Sequence, residues 1–86
     1  PRLEVHQKVH VQTAEGACDV ELINISSRGA LLAGCLGQPG YQIGIALPGR
    51  ADTVSAIVLR SNPSTTSVKF EVTVPVKSLP LWRQAA

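Results

Sequence analysis

The feature that most restricts the fold of this sequence is a series of short β-forming runs, which recur about every ten residues and are separated by turn signals. In the first run, apolar and polar residues alternate, as in a strand with one buried face. The predicted strands cover Leu3 to Thr13, Ala17 to Ile23, Ala30 to Ala33, Tyr41 to Leu47, Thr53 to Arg60 and Val68 to Val74. This spacing predicts an all-β antiparallel sandwich or small barrel.

Two of these runs lead to specific expectations about burial. The apolar residues from Thr53 to Arg60 occupy both faces, which predicts a strand covered on both sides. From Val68 to Val74, valines and Phe70 alternate with polar residues, which predicts one strand with Lys69 exposed. Closure of the sheet into a barrel would also remove exposed strand edges, a hazard for small all-β domains.

The pattern changes after the last predicted strand. Ser78 and Pro80 suit the cap and the first turn of a short C-terminal helix. Leu81 and Trp82 would pack from that helix onto the sheet, and Trp82 would cover an open end of a barrel.

Length and composition limit the number of domains and the compartment. The 86 residues suffice for one small domain, and 44% hydrophobic against 16% charged residues exclude a disordered chain. No apolar run reaches the roughly eighteen residues of a membrane span, and the start lacks a signal-peptide pattern. Because the chain opens at Pro1 in the middle of a pattern, we interpret residues 1–86 as one domain of a longer protein.

Charge and aromatic content argue against binding of DNA or RNA. The net charge is only +2, and Tyr41, Phe70 and Trp82 each stand alone. A nucleic-acid-binding surface usually combines a basic stripe with several stacking rings. The same weak positive charge is compatible with a small anionic ligand.

The spacing of the cysteines and histidines does not predict a metal site. Cys18 and Cys35 lack CxxC spacing, so we interpret them as free thiols of a reducing compartment that act as small hydrophobes. His6 and His10 share a strand face but stand roughly 13 Å apart at about 3.3 Å per residue, too far to chelate one metal. Both histidines are therefore interpreted as solvated.

No arrangement of nucleophile and base is recognisable from the spacing of the reactive residues. Asp19 and Glu21 fall on a solvated strand face, where they need no catalytic role. We therefore expect a protein that is not an enzyme and that needs no cofactor.

The segment Asn24-Ile25-Ser26-Ser27-Arg28-Gly29 concentrates small polar side chains, an arginine and a glycine between two apolar runs. Asn and Ser present hydrogen-bonding groups from a tight bend, and glycine allows an unusual backbone conformation or a close approach. A small polar ligand site needs these residues, and so does an ordinary turn. On spacing alone, the turn is the better interpretation.

The segment also satisfies in full the (D/N)xSxxG motif of the PilZ domain family, bacterial receptors for cyclic di-GMP, and the whole strand order resembles that family. Ala30-Leu31-Leu32 and Val68-Lys69-Phe70 are similar to strands of PilZ domains. The resemblance implies a six-stranded antiparallel barrel of Greek-key type with a short C-terminal helix. It also implies a bacterial cytoplasmic location, alone or as the cytoplasmic domain of a larger or membrane protein.

The first family motif, RxxxR, is incomplete, because Arg2 is the only arginine before Asn24. The strand alternation begins at Leu3, which favours Arg2 as the second arginine and places the first before Pro1. The other register makes Arg2 the first arginine and puts His6 in the second place.

The resemblance implies a ligand site formed by Arg2, Asn24, Ser26, Ser27, Arg28 and Gly29. Arginine suits this ligand, because its planar fork pairs with phosphate oxygens or with the O6 and N7 atoms of guanine. Arg28 either contacts a phosphate or is a solvated turn residue, and Arg60 is a further basic contact or an ordinary surface residue.

We expect a receptor that transmits cyclic di-GMP binding to an attached or partner protein. The alternative is a PilZ-like protein-interaction barrel that binds no nucleotide.

Overall fold

The computed structural model describes residues 3–49 and 52–75, and these form a closed barrel of six antiparallel strands. The strands are β1 (Leu3–Thr13), β2 (Gly16–Ile25), β3 (Gly29–Ala33), β4 (Gln42–Ala46), β5 (Val54–Ser61) and β6 (Thr65–Phe70). The all-β prediction is confirmed, and of the two predicted architectures the barrel is the one that forms. The helix predicted at Ser78–Trp82 lies outside the described residues.

The order of strands around the barrel is β1-β2-β3-β6-β5-β4, and β4 closes the ring by pairing with β1. Every neighbouring pair is antiparallel. The link from β3 to β4 crosses an end of the barrel, so β3 pairs with β6 in a Greek-key arrangement. Closure gives each strand a partner on both sides, although β1 pairs with β4 only over His10–Gln12.

Residues that alternate along the strands fill the interior of the barrel. Each buried Val, Leu or Ile contributes about 1.5–3 kcal/mol relative to exposure, so this core dominates the stability. The buried side chains of the strands include Val5, Val9, Val11, Leu22, Ile25, Leu32, Ile43, Ile45, Val54, Val58, Val68 and Phe70.

One polar side chain, Thr66 of β6, is fully buried among the described residues. Its Oγ1 donates to the Gly34 carbonyl at 2.7 Å and accepts from the Leu36 N–H at 3.0 Å. Both partners lie in the segment that leads from β3 to β4. Thr66 therefore holds the crossing loop against the barrel and satisfies two backbone groups that the loop would otherwise leave unpaired.

A bulge in β2 decides which side of the barrel Asn24 faces. Asn24 pairs with Leu31 and Leu22 with Leu32, so Ile23 is an extra residue in this ladder. Leu22 and Ile25 are consequently both buried although they are three positions apart. Strict alternation would have put Asn24 on the same face as Leu22, whereas the bulge places it on the outer face.

Three expectations about the strands are wrong. β6 ends at Phe70, so Val72 is 56% exposed, and Val74 is buried without belonging to a strand. β5 is not covered on both faces, because Leu59 is 50% exposed. Asn24 and Ile25 belong to β2, and the bend is confined to Ser26–Arg28.

The two cysteines are free thiols, as expected, but both are exposed. Cys18 lies near the start of β2, beyond the buried part of that strand, and Cys35 lies in the crossing loop. The interpretation of these residues as small core hydrophobes is therefore wrong.

Replacement of Thr66 tests the anchoring of the crossing loop. Thr66→Val keeps the shape of the side chain but leaves the Gly34 carbonyl and the Leu36 N–H without their partner. We expect a loss of about 2–4 kcal/mol in the free energy of unfolding, since each buried unsatisfied group costs about 1–3 kcal/mol. Urea denaturation followed by circular dichroism measures it. The matched change Thr73→Val, at an exposed position, should stay within about 0.5 kcal/mol of the parent. Equal stability of the two variants would contradict the anchoring role.

Candidate functional site

The bend between β2 and β3, residues Ser26, Ser27 and Arg28, is called the motif turn below. The Ser26 N–H donates to the Gly29 carbonyl at 2.8 Å. The Ser26 hydroxyl accepts from the Arg28 N–H and donates to the Gly29 carbonyl, both at 3.4 Å. Ser26 therefore closes the turn on itself, mainly through its backbone, and these longer hydroxyl contacts add weaker support.

The motif turn is also fixed from outside, by the last residue of β6 and by the chain that follows it. The Phe70 N–H donates to the Arg28 carbonyl at 2.7 Å, and the Val74 N–H donates to the Ser27 carbonyl at 2.8 Å. These bonds hold the backbone of the turn in place and leave the side chains of Ser27 and Arg28 exposed. The turn thus presents polar groups from a rigid support.

Gly29 is required by the packing of β3 against β6. A Cβ atom at this position would lie 2.3 Å from the Val68 carbonyl oxygen. Gly29 is not among the glycines with positive φ, so a special backbone conformation is not the reason for it. The close approach expected of this glycine is made by the backbone of β6, and its role towards a ligand stays a prediction.

Asn24 lies on the outer face of β2, opposite Glu4 of β1 and Leu31 of β3. Asn24 is half-buried. Five of the six predicted ligand residues lie within the segment Asn24–Gly29, at one end of this strand pair. The sixth, Arg2, lies outside the described residues. Leu3, which follows Arg2 in the sequence, pairs with Ile25.

A cationic surface adjoins the motif turn. Lys69 of β6 pairs in register with Gly29, and Arg60 of β5 pairs with Ser67, two residues before Lys69 on the outside of β6. Neither these two side chains nor that of Arg28 forms an ion pair within the described ranges. The strands β3, β5 and β6 contain no Asp or Glu. We call their outer side the basic face.

The sequence alone does not predict the basic face. Arg28 is more than thirty positions from Arg60 and Lys69, and the latter two belong to different predicted strands. Lys69 was expected to be exposed, and it is. Its position beside Gly29 follows from the pairing of β3 with β6, which sequence periodicity does not specify.

Three histidine–carboxylate contacts occupy the outer side of the β1–β2 hairpin. His6 Nδ1 lies 2.5 Å from Glu21 Oε2, and His10 Nδ1 lies 2.8 Å from Asp19 Oδ1. His6 Nε2 also lies 4.0 Å from Glu4 Oε2. These groups are exposed, as expected, but they are paired with one another. If residues of β1 and β2 are paired one by one from the hairpin turn at Ala14–Glu15, the sequence predicts that His10 lies opposite Asp19. Glu21 is opposite Lys8 in the ladder, so its contact with His6 runs diagonally between the strands, beside the bulge at His6, where φ is 56°.

The described residues hold no cluster of three metal-ligating side chains suited to a metal ion. They also include no helix with the length and apolar character needed to cross a membrane.

Comparisons of this chain with protein-family models, with curated proteins and with solved structures give no match. The resemblance to PilZ domains therefore depends on the motif residues and on the strand pattern.

Replacement of Gly29 separates a structural role from a ligand role. Gly29→Ala brings a methyl group against the Val68 carbonyl, so we expect a destabilisation of about 1–3 kcal/mol in the absence of any ligand. Thermal unfolding by circular dichroism measures the effect. The control is Ser27→Ala, which changes an exposed side chain two positions before Gly29 and should leave the melting temperature nearly unchanged. A Gly29→Ala protein as stable as the parent would show that β3 and β6 tolerate the added atom.

Proposed function

We propose that this chain is a non-enzymatic receptor module of the bacterial cytoplasm, which binds cyclic di-GMP and passes the binding event to an attached or partner protein. The observation that carries the proposal is the motif turn: a complete (D/N)xSxxG segment is fixed by backbone bonds beside a face that bears cations and no carboxylate.

The chemistry of the exposed groups suits a guanine nucleotide. The ligand carries two phosphates, and unpaired guanidinium groups attract phosphate and can bind it bidentately. The Asn24 side-chain amide offers a donor and an acceptor to the edge of a guanine. Ser27 and Arg28 lie exposed on the same turn, within reach of a ligand that lies across Asn24.

Arg2 is the principal ligand contact in this proposal. Its neighbour Leu3 pairs with Ile25, so the chain enters β1 beside the motif segment. A ligand held by Arg2 and Asn24 would connect the chain that precedes β1 to the barrel, and this connection supplies the signal. An additional arginine four positions before Arg2 would complete the RxxxR motif.

A second candidate function is a PilZ-like protein-interaction barrel that binds no nucleotide. One observation favours it: the fold itself accounts for two motif residues. Ser26 closes the turn, and Gly29 makes room for the Val68 carbonyl. A barrel could keep both residues after losing its ligand.

Calorimetric titration of cyclic di-GMP into the chain distinguishes the two functions. We expect a saturable isotherm for the receptor, with GMP and cyclic di-AMP as competitors of lower affinity. The absence of binding, in the presence of the natural residues upstream of Pro1, would favour the interaction barrel.

Substitutions then locate the ligand. Arg2→Ala should weaken binding by at least about tenfold, because a charge-assisted bidentate contact is lost, without lowering the melting temperature. Ser26→Ala should cost about 0.5–1.5 kcal/mol of binding, the net value of one hydrogen bond. The control is Lys8→Ala, which removes one positive charge from the outer face of β1.

Unchanged affinity in Asn24→Ala would remove the motif segment from the site. An equal loss of affinity in Lys8→Ala and Arg2→Ala would show that only the overall charge matters.

A further inference from the structure

The bulge in β5 displays an apolar and a cationic side chain together on the basic face. Val58 pairs with Val68 and Arg60 with Ser67, so Leu59 is the extra residue. As a result the consecutive residues Leu59 and Arg60 are both exposed, and Leu59 is 50% exposed. Regular alternation would have turned one of the two towards the interior.

Leu59 and Arg60 border an open depression on the barrel wall, with a volume of about 460 Å³. The depression is lined by Leu31, Leu59, Arg60, Asn62, Thr65 and Ser67. Leu31 and Leu59 supply its apolar surface, on either side of β6.

Some polar groups of the depression are hydrogen-bonded within the barrel, and others have no partner among the described residues. Asn62 Oδ1 accepts from the N–H groups of Ser64 and Thr65, at 2.8 and 2.9 Å, and so belongs to the β5–β6 hairpin. The side chains of Arg60 and Ser67 bond to nothing else in residues 3–49 and 52–75. Because the two residues are opposite each other in the ladder, both are available to one oxyanion.

The charge of the barrel indicates what would occupy this surface. β3, β5 and β6 carry Arg60 and Lys69 and no carboxylate, so the occupant should be acidic. The acidic residues of this chain concentrate instead on the β1–β2 hairpin, at Glu4, Glu15, Asp19 and Glu21. No large apolar side chain is exposed on this hairpin, so the hairpin of a second copy cannot match Leu31 and Leu59. The carboxylate of Glu71, which precedes the exposed Val72, already accepts a hydrogen bond from Gln42 Nε2 at 2.6 Å.

We propose that this depression is a docking surface for an acidic segment of another protein. A carboxylate of the partner is held by Arg60 and Ser67, and an adjacent apolar side chain packs between Leu31 and Leu59. Because the barrel is closed, the partner makes these contacts through side chains and not by adding a strand. The inference does not depend on cyclic di-GMP, and its test contains no nucleotide.

Selection of random peptides displayed on phage, with the 86-residue chain as bait, tests the proposal without a known partner. We expect enriched peptides to carry Asp or Glu next to a large apolar residue. The affinity of a synthetic enriched peptide, measured by fluorescence anisotropy, should fall at least about tenfold in Arg60→Glu and in Leu59→Ser, and should decrease between about 0.05 and 0.5 M salt.

The matched control is Lys8→Glu, which makes the same change of charge on the outer face of β1. It should bind the peptide with an affinity within about twofold of the parent, since it lies beyond the contact and its effect is screened by salt. Circular dichroism confirms that all three variants are folded.

The proposal would be overturned by no enrichment, by enriched peptides without acidic residues, or by equal binding of the peptide to the parent, Arg60→Glu and Leu59→Ser proteins. A peptide whose binding is lost equally in Lys8→Glu would also overturn it, because attraction by net charge would then suffice.

Discussion

The pairing of β3 with β6 is the contact on which the rest of this barrel depends. It joins strands that are distant in sequence and closes the Greek-key arrangement between the β1–β2–β3 and β4–β5–β6 meanders. The approach is close enough to require glycine at position 29. Thr66, on the same strand β6, ties down the loop that crosses the barrel end. A change in this pairing would therefore disturb the core, the crossing loop and the motif turn together.

The six residues from Asn24 to Gly29 divide into those that build the turn and those that face outward. Ser26 and Gly29 serve the turn and the β3–β6 contact, whereas Asn24, Ser27 and Arg28 turn their side chains towards the outer surface or solvent. In the function proposed above, ligand recognition is added to a support that is rigid without the ligand. Under that proposal, mutation would separate the stability of the fold from the affinity for the nucleotide.

The same strand pairing segregates charge on the barrel surface. The β1–β2 hairpin carries most of the carboxylates, and three of them contact histidines. The basic face carries Arg60 and Lys69 near the exposed Leu59 and the half-buried Leu31. Asn24 of the proposed nucleotide site is the register partner of Leu31, which lines the proposed docking surface. The two proposed sites are therefore adjacent on the barrel surface.

Local pattern was sufficient to predict the six strands, because the period-two alternation of apolar residues reflects burial of one face and needs no knowledge of partners. β1 was predicted with its observed bounds, and a bend was predicted within Asn24–Gly29, where the structure has one at Ser26–Arg28. The sequence did not reveal the bulges that turn Asn24, Leu59 and Arg60 outward, nor the end of β6 at Phe70. The bulges and the end of β6 depend on how many residues of the neighbouring strand are available for pairing. Only the tertiary pairing of distant segments decides that number.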